Sequence, residues 1–252
     1  MKHLNVLKGK PQYLGVLDYG LFQVHANGRI IGICGFVLRT DADEVVVIDT
    51  GFPAKYAHDI VASALEDRLG GFGTVLRLGP DNLPHAQLAS LGIAPEDVTL
   101  FITSHTHIDH VGDLAAFPQA PLLMSRAERA LSKPLYWGDV RPLEWPDREY
   151  LLVDEDSEIG PGFRVMLAPG HSPGQLAFLV TLPETGPVLL TSDAISRPAE
   201  IEERFVGSAD PDLALSSAQR LMQIANETGA FVIYGHSPEQ WNDLRKVPET
   251  YR

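Results

Sequence analysis

The chain has 252 residues, 44% of them hydrophobic, enough to bury a sizeable core as one domain spanning residues 1–252. Acidic residues outnumber basic ones 33 to 20, and the formal charge of −13 speaks against a nucleic-acid partner, because phosphate binding needs a basic surface. One cysteine, Cys34, excludes an intrachain disulfide framework; Met1-Lys2-His3-Leu4-Asn5 lacks the apolar core of a signal peptide, and no run approaches the ~20 residues of a membrane span, so a cytoplasmic protein away from the membrane is expected.

The first thirty residues offer little to read. From Arg29 to Arg39 and from Glu44 to Asp49, β-branched and apolar residues predict two strands joined by a hairpin turn at Thr40-Asp41-Ala42-Asp43, with Cys34 a buried thiol in the first. The second strand ends in Asp49-Thr50-Gly51, where the acid caps the strand or holds nearby loops and is not offered as a ligand. Pro53 to Leu69 reads as a helix with Ala57, Ile60, Val61, Ala64 and Leu65 on one face and Gly70-Gly71 as its stop. His58 falls outside that stripe. Leu83 to Leu91 reads as a short helix, and His25 and His85 have no partner at a telling spacing.

The apolar run Val98 to Thr103 leads into Ser104-His105-Thr106-His107-Ile108-Asp109-His110. Three imidazoles and a carboxylate within six positions suit a loop at a strand end that aims different side chains at two metal ions. Buried without metal, such groups would repel one another and leave unsatisfied atoms costing about 1–3 kcal/mol each. A helix opening at Val111-Gly112-Asp113-Leu114 would turn its N-terminus toward the site. The stretch Leu131 to Tyr150, rich in proline and aromatic residues, reads as a loop that packs on the body in preference to touching substrate.

Further candidates stand at the ends of other apolar runs: His171 between two Pro/Gly turns after Phe163 to Ala168, Asp193 after Val188 to Ser192, and His236 after Phe231 to Gly235. Side chains from four strand ends can meet at one edge of a layered α/β protein. The helix Pro211 to Thr228 would cover the last strand with Leu215, Ala218, Leu221, Met222 and Ala225, giving two sheets with helices outside both.

His105-Thr106-His107-Ile108-Asp109-His110 with His171, Asp193 and His236 at long spacing resembles the metallo-β-lactamase superfamily, over the chain from about Ile30 onward. Asp49-Thr50-Gly51, Pro169-Gly170-His171-Ser172-Pro173-Gly174 and Gly235-His236-Ser237-Pro238 are similar to the N-acyl-homoserine lactonases within it. The resemblance implies an αβ/βα sandwich of four layers and a dinuclear centre. His105, His107 and His171 would bind one ion, Asp109, His110 and His236 the other, and Asp193 both. It further implies two divalent ions, zinc first, with cobalt, manganese and iron compatible. A hydroxide shared by the ions would attack a lactone carbonyl, and Asp109 would pass a proton to the leaving oxygen. The expected partner is a small lactone or ester, and the expected state a monomer or homodimer.

One position departs from the lactonase pattern: Ser196 stands where those enzymes carry a tyrosine, which leaves Tyr234, His25 or a water to take over, or a different substrate. A thioesterase, arylesterase or β-lactamase on the same scaffold, and a mononuclear iron sulfur dioxygenase, are the alternatives.

Overall fold

The computed structural model describes residues 2–252. Met1, where the stretch read for a signal peptide begins, lies outside them. The strands are β1 (Lys2–His3), β2 (Pro11–Val24), β3 (Ile30–Thr40), β4 (Val45–Ile48), β5 (Gly73–Arg77), β6 (Val98–Ile102), β7 (Leu122–Ser125), β8 (Tyr150–Val153), β9 (Ser157–Gly160), β10 (Phe163–Leu167), β11 (Leu176–Leu182), β12 (Gly186–Leu190) and β13 (Phe231–Ile233). The helices are α1 (Ile60–Glu66), α2 (Pro84–Ala89), α3 (Arg126–Arg129), α4 (Pro211–Thr228) and α5 (Pro238–Trp241).

One sheet runs in the order β5-β2-β3-β4-β6-β7-β8 and the other β1-β9-β10-β11-β12-β13. Their period-2 side-chain alternation makes the layers. Val46, Ile48, Leu100 and Ile102 of the first sheet pack with Phe163, Phe178, Val188 and Leu190 of the second between the sheets. Val45, Val47 and Phe101, one residue out of phase, face α1, α2 and the long loops. On the far side, Met166, Ala177 and Leu189 pack against Ala214, Ala218, Leu221 and Ala225 of α4. The result is the expected four-layer αβ/βα sandwich.

The direction of the strands places the site. β4, β6, β7 and β8 are mutually parallel, so the chain leaves them at a common edge. In the second sheet β10 and β12 both run antiparallel to β11, and β13 parallels β12, so these three also end together. The hairpin β3–β4 and helix α4 form as expected. Among the described residues no helix is long and apolar enough to cross a membrane.

Two expectations fail locally. The helix read over Pro53 to Leu69 breaks into a 3₁₀ turn at Ala54–Ala57, the seven-residue α1 and a second 3₁₀ turn at Leu69–Gly71. Asp59 caps α1 by accepting from Ala62 N at 2.9 Å, and Arg68 ends it in the left-handed region at φ 53°. Ser63 and Asp67 take the buried face, so Val61 and Leu65 stand 78% and 80% exposed. No helix opens at Val111, because Gly112 N donates to Gly51 O at 2.8 Å and Asp113 N to Thr50 Oγ1 at 3.0 Å, bonds that tie this turn to the end of β4. The first thirty residues, which the sequence leaves without a predicted element, hold the fourteen-residue β2, paired with β3 and β5 in the first sheet.

Asp67 joins two distant segments under this surface. One of its carboxylate oxygens accepts from Tyr56 and Tyr136 hydroxyls at 2.9 Å each, and the other faces Lys55 Nζ at 2.8 Å. Tyr136 in turn belongs to the Leu131 to Tyr150 loop and pairs by backbone with the histidine-rich loop. Asp67→Ala removes the acceptor of three donors and should lower stability by about 2–4 kcal/mol, read as a fall in Tm. Val61→Ser, on the exposed face of the same helix, should stay within about 0.5 kcal/mol of the parent.

Candidate metal centre

The loop that leaves β6 is held from three sides. Asp49, just past β4 with φ 62°, accepts Ser104 N at 2.8 Å and Ser104 Oγ at 2.7 Å. Tyr136 N donates to Thr106 O at 2.7 Å, and Ile108 N to Tyr136 O at 3.0 Å. Buried Glu128 on α3 accepts Thr106 N and Oγ1 at 2.9 and 2.6 Å through one oxygen, and Ser172 Oγ and Gly174 N at 3.1 and 2.9 Å through the other. Glu128 thus locks the loop of His105 to that of His171. Gly174 is required for this approach: a Cβ there would lie 2.0 Å from Ser125 Oγ and 2.5 Å from Glu128 N. Gly170, at φ 132°, lets the same loop press on Ala214 at the start of α4.

These constraints bring all seven predicted side chains together. His105, His107 and His171 form one cluster, with His107 Nδ1 3.0 Å from His105 Nε2 and 2.9 Å from His171 Nε2. Asp109, His110 and His236 form a second, with Asp109 Oδ2 3.3 Å from His236 Nε2 and 3.7 Å from His110 Nε2. Asp193 lies between them. Its Oδ2 is 3.4 Å from His171 Nε2, and its Oδ1 is 3.3 and 3.2 Å from His110 and His236 Nε2.

The surrounding hydrogen bonds decide which ring nitrogen faces inward. His110 Nδ1 reaches Asp49 Oδ2 at 2.9 Å, His236 Nδ1 reaches Gly32 O at 2.9 Å, and His105 Nδ1 reaches Ser104 Oγ at 3.1 Å. With Nδ1 donating outward, each Nε2 turns its lone pair into the centre. His110 Nε2, His236 Nε2 and Asp193 Oδ1 are buried there without a hydrogen-bond partner.

Ring nitrogens and carboxylate oxygens crowded at these distances fit cations. A tetrahedral site with bonds of about 2.1 Å has ligand-to-ligand edges of about 3.4 Å, close to the spacings within both clusters. Imidazole and carboxylate are donors suited to zinc and similar divalent ions. Burial pushes His105 and His107 below the ordinary imidazole range and His171 down to about 4, which keeps them neutral as ligands must be. Against the same cost of burial, the carboxylates of Asp193 and Asp109 hold His110 and His236 well above that range.

Asp49 is outside both clusters and acts through Ser104 and His110, as a loop-holding acid would. His58, His85 and His25 are exposed, and His25 bonds Thr74 Oγ1 at 2.8 Å. Cys34 is buried with its thiol toward Gly235 O at 3.6 Å, and burial pushes it up to about 12. Glu128 escaped the sequence reading. Ser125 and Glu128 have the spacing of a helix N-cap box, and Ser125 Oγ does accept Glu128 N at 3.0 Å, but nothing local says that the carboxylate reaches two other loops.

Above the clusters opens a cavity of about 590 Å³. It is lined by His107, Asp109, His171, Asp193 and His236 of the clusters, by the apolar Phe22, Ile31, Phe52, Phe72 and Trp137, and by Ser196, Arg197 and Glu200. Tyr234 packs instead against the α4 layer, and neither it nor His25 borders the cavity. Of the groups considered in place of a tyrosine, Ser196 itself is the one from the protein that reaches the cavity. The Leu131 to Tyr150 loop mostly packs on the body, as Trp145 Nε1 donates to Leu131 O at 2.8 Å and Arg148 to Leu114 and Ala116 carbonyls at 2.9 Å. Trp137 alone in it borders the cavity, 4.6 Å between ring centroids from Phe72.

Residues 34–236 match the model of the metallo-beta-lactamase superfamily. The N-acyl homoserine lactonase AiiA of Bacillus thuringiensis subsp. kurstaki is 34% identical over 222 residues, 85% of this chain and 84% of that one. The N-acyl homoserine lactonase AttM of Rhizobium johnstonii is 34% identical over 231 residues, 86% of each. A solved N-acyl homoserine lactone hydrolase, with the product N-hexanoyl-L-homoserine bound at its catalytic metal center, superposes with a TM-score of 0.83 at 26% identity, covering 96% of this chain and 100% of that one. The chain belongs to the metallo-beta-lactamase superfamily and, within it, to the family of the N-acyl homoserine lactonases.

Proposed function

We propose that the protein is a dinuclear-metal hydrolase that opens the lactone ring of N-acyl homoserine lactones. The observation that carries this reading is the meeting of seven donor side chains from four strand ends, in two clusters that share Asp193, at the end of a cavity with an apolar wall. The named activity of relatives that match over most of their length supports it.

His105, His107 and His171 would hold one ion, Asp109, His110 and His236 the other, and Asp193 both, with zinc the first candidate. When bound, the ions would supply Lewis acidity, which lowers the pKa of a bound water to about 7 and polarises an ester carbonyl. Every donor comes from one chain, so the reading holds for a monomer or a homodimer.

The protein's own residues do the rest. Asp109, at the cavity's edge and 17% exposed, can take the proton released when water adds to the carbonyl carbon. It returns that proton to the ring oxygen as the carbon–oxygen bond breaks, giving a carboxylic acid and an alcohol; the acid then loses its proton to solvent, so at neutral pH the products are a carboxylate, an alcohol and one released proton. The Ser196 hydroxyl, shorter than a phenol, donates to a substrate oxygen from the facing wall. Phe22, Ile31, Phe52 and Trp137 receive the acyl chain, where each buried methylene contributes about 0.8 kcal/mol. Removal of quorum signals would be a consequence of this chemistry.

Hydrolysis of hexanoyl-homoserine lactone, followed by proton release with metal counted by mass spectrometry, tests the reading. Two metals per chain and turnover that disappears on chelation and returns on adding zinc are expected. Lactones that lag behind thioesters or β-lactams would assign the scaffold to a different hydrolase. In His107→Ala the metal count should drop below two and turnover fall at least about 100-fold. Asp109→Asn should lower kcat by about 10²–10⁴-fold. Glu128→Gln sets an amide N–H₂ against the donors of Thr106 or Gly174, and chelator competition should show metal affinity weakened by about 10–100-fold.

A further inference from the structure

One cation of the cavity has no part in the reaction above. Arg29 immediately precedes β3 and shares the strand face of Ile31, which also borders the cavity. Its Nε donates to Asn27 Oδ1 at 3.1 Å, but its Nη1 is buried with no acceptor. The other guanidinium of the cavity, Arg197, is paired with Glu203, and Glu200 is engaged by the backbone N–H of Ser196 at 2.8 Å. Among the described residues Arg29 forms no ion pair. A guanidinium N–H removed from water without an acceptor is costly; Arg148, Arg164 and Arg197 each carry one at Nε, but of these four arginines Arg29 alone borders the cavity without an ion pair.

The position of Arg29 relative to the metal centre sets a length. Gly32, three residues along the same strand, accepts His236 Nδ1 through its carbonyl at 2.9 Å. At about 3.3 Å per residue, Arg29 lies about 10 Å along the strand from that anchor, with Ile31 between them on the cavity side. A ligand that spans the cavity therefore meets the donor clusters at one end, apolar surface along its length, and an unpaired cation at the other.

We propose that Arg29 is a substrate-binding residue that receives a carboxylate at the far end of the substrate's chain, so that the preferred lactones carry an acid-terminated acyl chain. The proposal rests on the lactonase reading only for which end of the ligand lies at the metals. Arg29 offers the planar fork that a carboxylate fits, and the bond is charge-assisted on both sides. On a chain of net charge −13, an anionic tail has few places to rest, and this unpaired guanidinium is one within the cavity.

Isothermal titration of the zinc-loaded protein with octanoate and octanedioate compares two ligands of one length that differ in the second carboxylate. Octanedioate should bind about tenfold more tightly than octanoate, and butanedioate, too short to span about 10 Å, should show no such advantage over butanoate. Arg29→Gln should bring the eight-carbon ratio near one, and Arg29→Lys should keep part of it. A wild-type ratio near one, an equal advantage for butanedioate, or a ratio that survives in Arg29→Gln overturns the proposal. Should Arg29→Gln melt far below the wild type, the wild-type ratio and its length dependence decide alone. No turnover enters these measurements, so a protein that opens no lactone refutes the function proposed above and leaves the ratio to stand or fall separately.

Discussion

The structure is organised around a concentration of lone pairs. Imidazole nitrogens and carboxylate oxygens are packed within 2.9–3.7 Å of one another, several of them wholly out of water. Such an arrangement is unfavourable by itself, through desolvation and mutual repulsion. It persists because loops from both sheets are over-determined by other bonds. Asp49 holds the start of the histidine-rich loop, Glu128 ties its middle to the loop of His171, and Gly32 O fixes the ring of His236. Cations relieve the repulsion, which makes the site's instability in their absence the source of its affinity.

The sandwich is the device that delivers those loops to one place. Strand direction gives each sheet an edge at which several strands end, and the interface of Val46, Ile48, Phe178 and Leu190 holds the two edges opposite each other. The outer layers have a different part. α4 supports the Gly170 turn, whereas α1 and the Leu131 to Tyr150 loop are joined through Asp67 and brace the histidine-rich loop through Tyr136. Buried polar bonds far from the centre thereby reach its geometry.

The cavity adds discrimination to this chemistry. Its apolar wall comes from β2, β3 and the aromatic residues around Phe72 and Trp137, and its polar wall from the segment after Asp193. Ser196 in that wall contributes less reach than a phenol would, so orientation of a ligand falls more heavily on the metal end and on whatever the far end can bind.

The sequence by itself determined the layer plan and the candidate residues. Candidate ligands are legible as single side chains such as His105, His107 and Asp193, and the alternation of Val45 to Ile48 and the stripe of α4 are local periodicities. Only the tertiary structure decided what depends on non-local pairing. Glu128 has an ordinary helix-cap spacing, and its role exists because two loops 46 residues or less from it converge on its two oxygens. Val61 and Leu65 match an apolar stripe, yet Asp67, held by Tyr56 and Tyr136, turns the opposite face of the helix inward. Val111 to Leu114 looks like a helix start, but its backbone N–H groups donate to Gly51 and Thr50, distant in sequence. In each case a buried hydrogen bond to a remote partner outweighs a local propensity, because an unmet polar group in the interior costs more than the propensity supplies.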